Sequence, residues 1–132
     1  MPEAKKNQKR RFVRLEVVLP VKYRPYTGNP IFRGNFTTGR TSDLSSGGMS
    51  LMVSQPLTPG MKLDMELELD EQVLPYLVGK VIGGSDQMIG GVSRRIEKVS
   101  FAEMDQEAED MIMKFIFDSQ RKLARKDKKA RS

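Results

Sequence analysis

The chain has 132 residues, 38% of them hydrophobic and 30% charged, with a formal net charge of +6 and neither histidine nor cysteine. That is one domain's length with one ordinary core, and no apolar run approaches the ~18 residues of a membrane span. Without His or Cys there is no Ser-His-Asp triad, Cys-His dyad or zinc site; only carboxylate, Lys, Tyr or Ser chemistry remains, which argues against an enzyme.

Residues 1–14 read as a flexible basic leader. No apolar stretch follows that could serve as a signal peptide, and with the lack of cysteine this places the expected site of action in the cytoplasm. Together with residues 121–132 the leader holds 13 of the 23 Lys and Arg but only Glu3 and Asp127 as acids. Leu15–Gln120 carries 10 basic and 15 acidic residues, so the basicity sits at the ends of a mildly acidic body.

From Leu15 to Arg24, Leu15, Val17, Leu19, Val21 and Tyr23 alternate with polar neighbours, the pattern of a half-buried strand. Pro20, unable to donate to a ladder, suits an edge or a bulge near its middle. A turn over residues 25–30 leads to a second strand from about Ile31 to Thr41, and Ser42 to Gly48 has the composition of a tight turn. Met49, Leu51 and Val53 mark a third strand. After a turn at 56–60, Met61, Leu63, Met65, Leu67 and Leu69 alternate with five polar residues, four of them acidic, the clearest strand of all. Its Asp64, Glu66, Glu68 and Asp70 read as a solvated face, not a metal or catalytic set. Weaker strands are expected near 77–82, 88–94 and 98–101, with Gly83-Gly84 and Gly90-Gly91 as turn or bulge glycines.

The period then changes to helical. Asp105 is the expected N-cap, Ala108, Met111, Ile112, Phe115, Ile116 and Leu123 form one stripe, and Arg121, Lys122, Arg125 and Lys126 suit the negative end. The expected organisation is therefore a leader at 1–14, a six- to seven-stranded antiparallel β-barrel at 15–104, a helix at 105–126 and a disordered tail at 127–132.

Two clusters carry chemistry. Lys9-Arg10-Arg11-Phe12-Val13-Arg14 offers guanidinium forks that fit phosphate oxygens and the O6/N7 edge of guanine. Asp43-Leu44-Ser45-Ser46-Gly47-Gly48 offers acceptors, then glycines that admit a ligand to the backbone. Taken singly, each has a plainer reading, as a solvated basic tail and as a hairpin turn.

Taken together they resemble the PilZ domain family, which carries an RxxxR motif in an N-terminal loop and a D/NxSxxG motif between early barrel strands. Arg10 and Arg14 match the first motif; Asp43, Ser45 and Gly48 match the second. Val99-Ser100-Phe101 and the terminal helix extend the likeness over nearly the whole chain. The departures are Lys98, where Gly is usual, and the glycine-rich stretch from Gly83 to Gly91.

The resemblance implies a mainly β, PilZ-like split barrel with a C-terminal helix that binds the guanine dinucleotide c-di-GMP and regulates a protein partner, with an output such as motility or exopolysaccharide production. Arg10 and Arg14 would meet phosphates and guanine faces, Asp43 and Ser45 guanine edges, and Gly48 would permit the turn. Lys9, Arg11 and Gly47 are further candidates. No catalytic residue, metal or cofactor other than this ligand is expected. The alternatives are a nucleic-acid-binding protein using its basic termini, against which the acidic body argues, and a PilZ-like scaffold without nucleotide. The helix is a candidate homodimer contact.

Overall fold

The chain lays down six strands, β1 (Pro20–Pro25), β2 (Thr37–Ser45), β3 (Gly48–Val53), β4 (Lys62–Leu69), β5 (Gln72–Ile89) and β6 (Val92–Glu103), then one helix, α1 (Gln106–Arg131). In the computed structural model, described for residues 13–28 and 34–131 and for side chains as far as Arg125, the strands pair antiparallel and close in the order β1-β2-β3-β6-β5-β4. The β1–β4 ladder, from Val21↔Leu67 to Pro25↔Leu63, completes the ring. The mainly β barrel with a terminal helix is thus the architecture, with six strands.

Alternation explains the core. Val21 and Tyr23 from β1, Leu51 from β3, Leu63, Met65, Leu67 and Leu69 from β4 and Val99 from β6 all point inward and are buried. Burial raises the Tyr23 phenol pKa above its usual 10.0. On the outer side of β1 and β4, Arg24 lies opposite Asp64 and bonds it at 2.9 Å, with its guanidinium 3.9 Å from the Phe36 ring centroid. Asp64 therefore belongs to a cross-strand ion pair. Among the described residues, no cluster of three or more carboxylates could hold a metal ion.

Several expected boundaries move. The segment 15–19 buries Leu15 and Leu19 as its pattern implies, but it is not ladder strand: apart from a bridge at Leu15↔Leu44, Thr41 stands in for the ladder. The Thr41 hydroxyl accepts the Leu19 N–H at 2.9 Å and donates to the Val17 carbonyl at 2.6 Å. Pro20, having no N–H, opens β1 where a mid-strand position was expected.

β2 begins at Thr37 and runs through Asp43, Leu44 and Ser45, so most of the expected 42–48 turn is strand. The three weak late strands are two long ones. The expected strand from about Ile31 overlaps residues 29–33, which lie outside the described residues.

Asp105 caps the helix as expected, accepting the Ala108 N–H at 2.8 Å. Ile112 and Ile116 are buried in the core, with Ala108, Met111 and Phe115 packed against it. The helix runs past the expected end at Lys126 to Arg131, so residues 127–131 are helix where a disordered tail was expected. No helix among the described residues is long and apolar enough to cross a membrane.

Because Thr41 satisfies two main-chain groups at once, Thr41→Val keeps the shape and strands both. Urea unfolding should show a loss of about 1–3 kcal/mol.

Candidate functional site

β2 carries one extra residue relative to β3: Thr41 pairs with Leu51, but Asp43 pairs with Ser50. The bulge at Ser42 lets Thr41 and Leu44 both point inward, each fully buried, and turns Asp43 and Ser45 to the outer face. From Asp43 a row crosses the sheet through register partners Ser50, Lys98 and Gly83.

Two adjoining depressions lie along this row. One, of about 360 Å³, is walled by Arg14, Asp43, Ser50, Lys98, Ser85 and Gln87 among others. The second, of about 190 Å³, shares Arg14, Asp43, Ser50 and Lys98 and continues over Ser45, Gly47 and Gly48. The shared residues form the saddle between them. There Arg14 Nε stands 4.0 Å from Asp43 Oδ1, with the Arg14 side chain 64% exposed and that of Asp43 20% exposed. A cation and a carboxylate so placed present donors and acceptors side by side on an open surface.

Ser45 first serves its own hairpin. Its Oγ accepts the Gly47 N–H at 3.2 Å and donates to the Gly48 carbonyl at 3.3 Å, which fixes the Ser46-Gly47 turn. Gly48 is required by space: a side-chain carbon there would collide with the Val99 carbonyl oxygen on β6. The absence of a Cβ lets β3 and β6 close up beneath the site.

The structure therefore brings together Arg14, Asp43, Ser45, Gly47 and Gly48. Lys9, Arg10 and Arg11 lie outside the described residues. Lys98, Ser50, Ser85 and Gln87 are wall residues that sequence reasoning missed. Their only signal was outward parity on their strands, and parity does not reveal that β3 lies beside β6 and not beside β4.

Glu97, next to Lys98 but facing inward, is fully buried. Its Oε2 accepts from the Leu57 N–H at 3.0 Å and from Arg95 Nε at 3.1 Å. Among the described residues its Oε1 has no hydrogen-bond partner, and it lies against Gly84, where a Cβ would displace it. This carboxylate ties the β3–β4 loop to the strands that floor the site.

The sequence matches the family model described as PilZ domain over residues 8–118. No curated protein matches it significantly. Among solved structures it is similar to the PilZ domain with c-di-GMP of YcgR from Escherichia coli, at 20% identity and TM-score 0.70, over 92% of this chain and 99% of that one. It is also similar to the MrkH-c-di-GMP complex of K. pneumonia, at 18% identity and TM-score 0.72, over 88% of this chain and 54% of that one. A third likeness is to the inhibitor of motility MotI/DgrA of Bacillus subtilis, at 15% identity and TM-score 0.65, over 83% of this chain and 50% of that one. The chain spans about half the length of the last two.

Gly48→Ala should lower stability by about 1–3 kcal/mol, through overpacking against β6. A fall in melting temperature measured by circular dichroism checks it.

Proposed function

The chain belongs to the PilZ domain family, and from that premise we propose that it is a receptor for c-di-GMP, binding the dinucleotide without transforming it. The observation that carries this reading is the Arg14–Asp43 pair at the saddle of the two depressions. A guanine edge needs an acceptor for its N1 and N2 hydrogens and donors for O6 and N7; Asp43 offers the first and arginine the second. The phosphates need cations, which Arg14 and Lys98 supply, Arg14 through a planar fork and Lys98 as a point charge.

Arg10 lies four residues before Arg14 in the chain. An extended chain of that length reaches at most about 14 Å, which keeps Arg10 within range of a ligand seated at the saddle. Closing the leader over the ligand creates a new surface beside the barrel, which is how binding is read by a protein partner. The absence of any His or Cys and, among the described residues, of a convergent acid, base and nucleophile supports a binding role over catalysis. The likeness to the c-di-GMP-bound structures of YcgR and MrkH supports the choice of ligand.

Titration calorimetry with c-di-GMP tests the reading. Binding is expected, weakened about 10- to 10²-fold by Arg14→Ala, Arg10→Ala or Asp43→Ala, the value of one hydrogen bond to a charged group. Absence of heat at tens of micromolar protein, or undiminished binding by Arg14→Ala, would overturn it.

A further inference from the structure

β5 and β6 outrun their neighbours. The β4–β5 ladder ends at Lys62↔Lys80 and the β3–β6 ladder at Val53↔Arg95, but β5 and β6 stay paired to Ile89↔Val92. Hydrogen bonds from Gly60 and to Met61 hold Val81; beyond it the β5 edge has no strand beside it among the described residues. The β5 edge is thus open from Ile82, and from the Asp86↔Arg95 pair onward the two strands run on together as an arm, residues 86–95. Gly90 and Gly91, with φ of 60° and 79°, close it in a two-residue turn of type I′ form.

That turn settles which backbone groups are free. In a two-residue hairpin Ile89 and Val92 are the hydrogen-bonded closing pair, so by alternation Gln87/Arg94 and Ser85/Ile96 bond to each other. The N–H and C=O groups of Gly84, Asp86 and Met88 then point away from β6, along an open edge.

Natural edges are guarded by lysine, proline or cover. Residues 82–89 contain neither Lys nor Pro, and the one charge, Asp86, lies 3.7 Å from Arg95 of the same arm. Large apolar side chains are exposed along it: Met88 at 71%, Ile82 at 57% and Val92 at 50%. A two-stranded ribbon is marginally stable by itself.

We infer that this edge takes up a second copy of the chain, β5 pairing antiparallel with its own copy about Gln87. The register selects that occupant. Pairing about Asp86 would set two carboxylates face to face, which is destabilising. Pairing about Gln87 sets Asp86 opposite Met88 of the second copy and makes about four backbone hydrogen bonds from groups otherwise left to water. It also brings the two Met88 side chains together across the diagonal and sets the two Gln87 amides opposite each other. The two-fold axis closes the assembly at two chains, so the edge is consumed and not propagated. So small an interface gives a weak dimer. The inference goes beyond nucleotide binding and does not depend on it.

Sedimentation equilibrium of the whole chain between about 10 μM and about 1 mM tests it. The average mass should climb toward twice that of one chain, and amide exchange at Asp86 and Met88 should slow as it does. Asp86→Pro removes the edge N–H while sparing the bonds to β6, and should weaken association at least about tenfold (some 1.4 kcal/mol). Asp86→Ala, which keeps the N–H, should not weaken it. Met88→Glu, which sets a second carboxylate directly opposite Asp86 of each partner copy, should repeat the loss even if the proline variant unfolds. A single-chain mass across the range, or a dimer indifferent to both Asp86→Pro and Met88→Glu, would overturn the inference. Calorimetry with c-di-GMP reads separately, because neither Asp86 nor Met88 lines the nucleotide face.

Discussion

One extra residue in β2 governs most of what this molecule presents to solvent. With Ser42 bulged, Thr41 and Leu44 both face the core, and Asp43 and Ser45 both face out. An unbroken strand would send Thr41 and Asp43 to the same side, and the carboxylate would be buried at the cost of several kcal/mol. Thr41 then ties down 15–19 through its hydroxyl, which brings Arg14 beside Asp43. Bulge, tie and ion pair form one chain of cause, in which local disruption of a ladder yields a polar site on the face of the barrel.

The floor of that site is supported from within. Glu97 is buried under the strands that carry Lys98 and Gly84, and its carboxylate holds both the β3–β4 loop and Arg95. Arg95 in turn contacts Asp86 on the arm. Ser85 and Gln87, which wall the depression of about 360 Å³, and the open edge of β5 therefore belong to one ribbon rooted at Glu97.

The helix is anchored at the other end of the barrel, where its groove with the β4–β5 turn lies between Leu69, Gln72 and Phe115. Its apolar stripe is spent on the core as far as Ile116, and Leu123 is exposed. Residues 121–125 continue the helix exposed to solvent, with Arg121, Lys122 and Arg125 placed toward the negative end of its dipole.

What the sequence by itself determined are the features written in local order: the alternation of β4, the inward residues from Leu15 to Tyr23, the Asp105 cap and helical stripe, and the spacing of the arginine and Asp-x-Ser motifs. Each depends on neighbours within a few residues, where period and side-chain chemistry suffice. Only the tertiary structure decided the bulge at Ser42, the fusion of three weak late strands into two long ones and the placing of β3 against β6. It also recruited Lys98, Ser50 and Gln87 to the site. Those outcomes depend on which strands meet across the barrel, and a one-residue change of register reverses every face, so no pattern confined to a single strand contains them.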